Sequence, residues 1–161
     1  MEIELGADIQ VAEDLDETAP FFSHVAINDI ETWYQVALSH LNHSNTAECT
    51  VRLVTPQESQ SLNSQYRQQD KPTNVLSFPS ELPEFVESSY IGDIVICVDI
   101  VISEANAQNK TIKAHFMHLC IHGLLHILGY DHIEDLEAEK MESLEIEILH
   151  KLGIDDPYKV Q

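Results

Sequence analysis

The stretch His118–His132 (HLCIHGLLHILGYDH) decides the fold, because it combines an apolar helix pattern with regularly spaced histidines. His122 and His126 are four residues apart, so on a helix their Cβ atoms lie about 5–6 Å apart on one face. Gly129 suits the end of that helix, since glycine adopts a positive φ at little cost. The turn that follows can return His132 toward the other two imidazoles. We therefore predict a metal site at the end of a buried central helix, with His122, His126 and His132 as ligands.

Three imidazole nitrogens without a convergent thiolate favour Zn²⁺, one ion per chain, with Ni²⁺ or another divalent ion as the alternative. Structural zinc usually has four protein ligands, whereas three leave a position for water, which is the catalytic arrangement. The competing interpretation is a cluster of neutral core histidines, which would need several hydrogen-bond partners once buried.

Two neighbours of the predicted ligands are expected to orient them rather than bind the ion. His118 precedes His122 by one turn on the same face, so it could be a fourth ligand, contact a ligand or fill the core. The last two are favoured because it lies farther along the helix from the Gly129 turn. Asp131 could accept a proton from water at the metal, but holding a ligand imidazole or capping the helix that follows is preferred. His115 lies off this face by angle and is expected to be partly exposed.

Composition bounds the remaining possibilities. The chain has 161 residues, 43% of them hydrophobic, and a formal charge of −20, which fits one globular domain over residues 1–161. Such a surface repels polyanions at long range and disfavours a non-specific DNA coater or a binder of anionic membranes. No apolar run is long enough to span a membrane, and the acidic start does not resemble a signal peptide, so a cytoplasmic protein is expected. Three cysteines in apolar surroundings, Cys49, Cys97 and Cys120, are expected to be reduced core thiols.

Strands and helices alternate along the chain, which predicts a mixed layered domain. The predicted strands are Glu2–Gln10, Cys49–Thr55, Asn74–Phe78 and Tyr90–Val98, the last of them central in the sheet. The first predicted helix is capped by Asn28 or Asp29 and runs through Asn42, and the second covers Gln57–Gln68 with Pro56 suited to its first turn. Helical sequence starts again at Asp99 or Ser103, and two further helices cover about Thr111–Leu128 and Ile133–Leu152. An acidic loop covers Val11–Ser23. The polar face of the last helix is assigned to Glu134, Asp135, Glu137, Glu139, Glu142, Glu145 and Glu147.

The histidine spacing coincides with H-E-x-x-H-x-x-G-x-x-H, which describes one class of zinc peptidase. Gly123 stands where those peptidases carry the glutamate that acts as general base. Losing a general base typically costs about 10²–10⁴-fold in rate. The metal cradle therefore predicts a hydrolase whose chemistry differs from peptide cleavage.

Three ordered motifs resemble the YbeY family, bacterial metal-dependent endoribonucleases of rRNA maturation. They are HGLLHILGYDH at His122–His132, LNSQYR with DKPTNVLSFP between Leu62 and Pro79, and GDIVIC at Gly92–Cys97. The resemblance implies an α+β, zincin-like domain, a small mixed β-sheet packed with helices. It also implies single-strand-specific cleavage of RNA in 16S rRNA 3′-end maturation and ribosome quality control, with His122, His126 and His132 as the metal ligands.

Arg67 matches the arginine of that family, which is implicated in substrate handling, and it is one of only two arginines in the chain. Its planar donor fork suits a phosphate in the transition state, whereas an ion pair with a carboxylate is the alternative. We expect Arg67 to be the catalytic residue beside the metal. The nucleophile is left open between water activated at the metal and the RNA 2′-hydroxyl.

The expected partners are single-stranded rRNA and the small ribosomal subunit or a basic ribosomal protein, with an assembly GTPase as a further option and no membrane. A basic partner is expected because the acidic chain would repel naked RNA. The sequence leaves two other functions open. One is a zinc metallopeptidase-like hydrolase, and the other is a non-enzymatic ribosome assembly factor whose metal is structural.

Overall fold

The computed structural model describes residues 5–16, 20–43, 46–81, 88–130 and 134–158. Its strands are β1 (Leu5–Val11), β2 (Ala47–Val54), β3 (Val75–Pro79) and β4 (Tyr90–Cys97). Its helices are α1 (Pro20–His24), α2 (Asp29–His40), α3 (Pro56–Arg67), α4 (Val98–Ala107), α5 (Ile112–Ile127) and α6 (Asp135–Lys151).

The four strands form one mixed sheet in the order β1-β2-β4-β3. Strands β1, β2 and β4 are parallel, and β3 runs antiparallel to β4 at the edge. The apolar strand β4 occupies an interior position, as its sequence predicts. An α+β fold with a small mixed sheet is thereby confirmed.

The backbone pairing of β3 decides which of its polar groups face outward. Cys97 donates its N–H to the carbonyl of Asn74, and Ser80 donates to that of Ile91. Antiparallel partners alternate between bonded and non-bonded pairs, so the even-numbered residues of β3 bond to β4. The backbone groups of the odd-numbered residues therefore point to the free edge of the sheet.

The main hydrophobic core lies between one face of the sheet and helices α1, α2, α5 and α6. Phe21, Tyr34 and Phe116 are fully buried there, and the Tyr34 hydroxyl donates to the carbonyl of Cys120, 3.1 Å away. Burial of each such side chain contributes about 1.5–3 kcal/mol. A smaller apolar cluster covers part of the opposite face beneath α3 and α4. Helix α5 is consequently packed on several sides, and the three cysteines are buried free thiols as predicted.

Both ends of α5 are set by local chemistry. At its start the Thr111 hydroxyl accepts from the N–H of Ala114 at 3.1 Å. At its end the N–H of Tyr130 donates to the carbonyl of Leu125, and Gly129 has a φ of +102°. This is the Schellman arrangement that a glycine after the helix favours. The predicted helix stop at Gly129 is confirmed.

Several predicted boundaries differ from those of the structure. The short helix α1 lies in the region assigned to an acidic loop, where Phe21 is fully buried and supplies the apolar contact that the loop assignment overlooked. Helix α4 begins at Val98, directly after β4, and not at Asp99 or Ser103. The first residues of the first predicted strand lie outside the described residues. The organisation of residues 1–161 as one domain stays a prediction.

Candidate metal centre

His122 and His126 meet on the same face of α5, as their spacing predicts. Their Nε2 atoms are 3.1 Å apart. Two nitrogens that share one tetrahedral ion at about 2.0–2.1 Å are separated by roughly 3.3 Å. The two imidazoles therefore fit a common divalent cation.

The third predicted ligand, His132, and the neighbouring Asp131 lie outside the described residues. Their roles remain predictions.

Glu145 of α6 contacts His118 and His122, and its sequence pattern was not interpreted as part of the site. It is fully buried, with 0% exposure, although it was assigned to the polar face of its helix, and that assignment is wrong. One carboxylate oxygen contacts Nδ1 of His122, and the other lies 3.3 Å from Nε2 of His118. Burial raises the pKa of Glu145, but the hydrogen bonds and charges of His118 and His122 outweigh that effect and lower the pKa to about 2. The carboxylate is therefore ionised beside the two histidines.

A signal for Glu145 exists in the sequence. Met141, Ile148 and Leu149 are buried on the same helix, four residues before it and three and four residues after it. A residue at those spacings lies on the apolar stripe of an amphipathic helix, not on the solvated face. A glutamate in that position must have buried partners, because an unpaired buried charge is costly.

The C-terminal segment completes the surroundings of Glu145. The Tyr158 hydroxyl donates to the same carboxylate, and Lys110 donates through Nζ to the carbonyl of Pro157 at 2.6 Å. A cavity of about 320 Å³ opens here, and Lys110, Tyr158 and His122 are among the residues that line it. Donor atoms of His118, His122 and Glu145 all lie within 4.8 Å of one another. These side chains form a His/His/Glu cluster capable of holding a divalent cation.

His115 was expected to be partly exposed, and this expectation is wrong, since only 4% of the residue is accessible. Its Nε2 lies 3.0 Å from a carboxylate oxygen of Glu104, which also accepts from the side-chain amide of Asn74. Burial lowers the pKa of His115, and the nearby Glu104 only partly offsets that effect. The angular position of His115 on α5 did not predict its burial, because α4 covers this side of α5.

Gly123 is required by the packing of α5 on the sheet. A Cβ atom at this position would lie 2.8 Å from Cγ2 of Ile94 and 3.4 Å from the Ser77 hydroxyl. Ile94 is fully buried and has little rotamer freedom. Any side chain at residue 123, including the glutamate of the zinc peptidases, would therefore push the helix away from β4.

Arg67 lies at the end of α3, exposed, with its guanidinium held by carbonyl groups. It donates to the carbonyls of Ser77 at 2.8 Å and Tyr66 at 3.2 Å, and it lies over the ring of Phe78 at 5.0 Å. No carboxylate pairs with it within the described part of the chain. The other arginine, Arg52, is by contrast paired with Glu58 at 2.9 Å.

The position of Arg67 relative to the histidines follows from Ser77. The carbonyl of Ser77 points to the free edge of β3 and accepts from Arg67, whereas its hydroxyl donates to the carbonyl of Gly123 at 3.4 Å. Gly123 adjoins His122 in α5. Arg67 lines a separate groove of about 890 Å³ on the α3 side. Arg67 and the histidines therefore both neighbour Ser77 of β3 but do not share one cavity.

Among the helices of the described residues, none combines the length and the apolarity needed to cross a membrane.

The fold and the His/His/Glu cluster define a zincin-like α+β protein. The model of the family Endoribonuclease YbeY matches residues 14–153 of the chain. The chain therefore belongs to the YbeY family, a family of endoribonucleases. The solution structure of TM1509 from Thermotoga maritima is similar over 95% of this chain and 99% of that one, with 27% identity and a TM-score of 0.55.

Proposed function

We propose that this protein is a single-strand-specific, metal-dependent endoribonuclease that acts in the cytoplasm on rRNA. Its proposed tasks are maturation of the 3′ end of 16S rRNA and ribosome quality control. Membership of the YbeY family supports the reaction class. The observation that carries the metal dependence is the 3.1 Å approach of the His122 and His126 Nε2 atoms.

The proposed ligands are His122, His126 and His132, and the proposed ion is Zn²⁺, with Ni²⁺ or another divalent ion as the alternative. A bound ion of this kind supplies a Lewis acid and an activated water at neutral pH. The chain's own contribution is to hold the two described imidazoles on a buried helix whose end is fixed by Gly129. Asp131 is proposed to orient a ligand or to cap α6.

Arg67 is proposed to bind the phosphate of the scissile bond. Its two hydrogen bonds to carbonyl groups fix the guanidinium without neutralising it. A charged donor fork of this kind is suited to the anionic oxygens of a phosphodiester. The neighbouring Tyr66 is 50% exposed and lies against Phe78, with ring centroids 5.3 Å apart. An exposed aromatic ring beside an arginine favours unstacked bases, which single-stranded RNA offers.

Two observations oppose the metallopeptidase alternative. Gly123 leaves no room for the glutamate that serves peptidases as general base. In addition, the free edge of β3 is poorly suited to pair with an extended peptide. The N–H of Val75 already donates to the Asn74 side chain at 2.7 Å, Arg67 occupies the carbonyl of Ser77, and Pro79 has no N–H to offer. Such devices block strand addition at a sheet edge.

The formal charge of −20 repels RNA, so the protein needs a partner to bind it. We propose that the small ribosomal subunit, a basic ribosomal protein or an assembly GTPase brings the rRNA to the site. Association should then weaken as ionic strength rises, because long-range attraction between opposite charges is screened by salt.

Cleavage at the 3′ end of 16S rRNA, in an isolated fragment and in pre-ribosomal particles, tests the proposal, with and without a chelator. We expect cleavage that the chelator abolishes and added Zn²⁺ restores. His126→Ala should be folded and inactive, and Arg67→Gln should lose most activity while retaining the metal. Arg52→Gln is the matched control for Arg67, because it removes an arginine that is already paired.

The assembly-factor alternative gives the opposite result. A structural metal predicts that His126→Ala unfolds the protein and that no cleavage occurs even when pre-ribosomal particles provide the substrate. Circular dichroism of His126→Ala and the particle assay together separate the two functions.

A further inference from the structure

The carboxylate of Glu145 has different partners on its two oxygens. One oxygen contacts Nδ1 of His122, while the other accepts from the Tyr158 hydroxyl and lies 3.3 Å from Nε2 of His118. A fully buried carboxylate is stable only where such partners compensate for lost hydration. The cluster therefore fixes the carboxylate from two sides.

The contact with Glu145 determines how His122 carries its proton. The carboxylate also accepts from the Tyr158 hydroxyl, so it is the hydrogen-bond acceptor of this cluster, and Nδ1 of His122 is the nitrogen that donates to it. A neutral imidazole protonated at Nδ1 has its lone pair on Nε2. That nitrogen is the one that lies 3.1 Å from Nε2 of His126. The lone pair needed for a metal bond thus faces the predicted site.

We propose that Glu145 is a positioning residue that fixes the tautomer and orientation of His122, and that His118 and Tyr158 hold Glu145 in place. This inference rests on the proposed use of His122 and His126 as ligands. It assigns His118 a contact with the carboxylate instead of the ion. Carboxylates that accept from a metal-binding histidine in this way typically contribute about 10–100-fold to metal affinity.

A competing arrangement would place the ion among His118, His122 and Glu145 themselves, whose donor atoms lie within 4.8 Å of one another. The His122 nitrogen in contact with that carboxylate is Nδ1, opposite the nitrogen that lies near His126. It would also place the ion against a carboxylate with no exposure, one of whose oxygens already accepts from Tyr158. A hydrolytic metal needs an open coordination position, which favours the positioning role.

The tautomer of His122 can be read without any metal. Imidazole ¹⁵N–¹H correlation spectra of the metal-free protein should show His122 protonated at Nδ1, and Glu145→Gln should convert it to a mixture of tautomers. Glu147→Gln is the matched control, because Glu147 lies on the same helix but contacts His40 at the surface, at 2.8 Å. Protonation of His122 at Nε2 in the parent protein, or no change in Glu145→Gln, would overturn the inference.

Zn²⁺ affinity, measured by competition with a chromophoric chelator, gives the second readout. Glu145→Gln should weaken binding by about 10–100-fold, whereas Glu147→Gln should stay within about twofold. Tyr158→Phe removes a single hydroxyl and should weaken binding by a smaller factor. If Glu145→Gln fails to fold, Tyr158→Phe decides, and an unchanged affinity together with an unchanged His122 spectrum would contradict the proposal.

Two further variants separate failure of this inference from failure of the proposed metal site. His126→Ala should abolish tight Zn²⁺ binding, and His118→Gln should retain it within about tenfold. Loss of binding in His118→Gln with retention in His126→Ala would move the ion into the competing arrangement and overturn both claims. Loss in His126→Ala with parent-like affinity in Glu145→Gln would overturn the positioning role alone.

Discussion

Two of the histidines in helix α5, His115 and His122, pair with carboxylates from two different neighbouring helices, and these two pairs differ in what the second ring nitrogen faces. His115 contacts Glu104 through Nε2, and its buried Nδ1 has no hydrogen-bond partner among the residues that the structure describes. His122 contacts Glu145 through Nδ1, and its Nε2 faces His126.

The comparison shows that a histidine–carboxylate pair is not by itself a metal site. Glu104 also accepts from Asn74, so the His115 pair ties α4 and α5 to the residue that precedes β3. The His122 pair differs because its second ring nitrogen lies 3.1 Å from Nε2 of His126, four residues later on the same face. The proposed function therefore depends on the spacing of His122 and His126. The contact of Glu104 with His115 connects helices, whereas the contact of Glu145 with His122 is proposed to orient a ligand.

The same substitution at the two pairs should produce the largest difference. His122→Gln is expected to weaken Zn²⁺ binding by more than about 100-fold, because it removes a proposed ligand. Loss of a residue that only hydrogen-bonds a ligand typically costs about 10–100-fold. His115→Gln should leave the affinity within about twofold. Chelator competition measures both, and equal losses at the two positions would contradict the distinction.

A smaller effect is expected where α5 packs most closely on the sheet, beside the His122 pair. Gly123→Ala should lower the free energy of unfolding by about 1–2 kcal/mol, because overpacking against Ile94 outweighs the gain in helix propensity. Gly6→Ala is the control, since its Cβ would meet only Glu48 Cγ at 3.6 Å. Urea unfolding of the metal-free protein gives both values. Gly123→Ala at or above parent stability would contradict the close packing.

The smallest effect concerns pH and belongs to the His115 pair. Burial lowers the pKa of His115 from 6.5 in the fold, so the unfolded chain binds the proton more readily. Its contribution to stability is complete above about pH 6.5 and is lost as pH falls through the lowered pKa. The pKa of Glu145 is lowered from 4.5 to about 2, so its contribution to stability is complete above pH 4.5 and is lost as the pH falls toward 2.

His115→Gln should therefore flatten the loss of stability of the metal-free protein between pH 6.5 and 5. The change in slope is at most about 1.4 kcal/mol per pH unit, the limit for one proton. His150→Gln, an exposed change on α6, should keep the parent slope. A parent-like slope in His115→Gln would show that the buried ring does not resist protonation.

Local sequence patterns predicted the parts of the molecule that depend on local physics. The spacing of His122 and His126 placed both rings on one face of α5, and Gly129 correctly marked the end of the helix. The apolar run of β4 predicted its interior position in the sheet. Each of these features depends on helix geometry, backbone freedom or hydrophobicity over a few residues.

The features that were missed depend on which elements meet in space. Glu145 pairs with His122 across 23 positions of sequence, and periodicity gave only its place on the apolar stripe of α6. The burial of His115 depends on α4, which no pattern within α5 specifies. The hydrogen bond from Arg67 to Ser77 likewise requires the antiparallel placement of β3 at the sheet edge.

The most direct test of the central claim is a titration of the metal-free protein with Zn²⁺ that records bound metal and RNA cleavage in the same samples. The substrate is the 3′ end of 16S rRNA in pre-ribosomal particles. We predict that cleavage rises in proportion to bound metal, saturates at one ion per chain, and is lost in His126→Ala. Full cleavage by the metal-free protein, or unchanged cleavage by His126→Ala, would contradict the account.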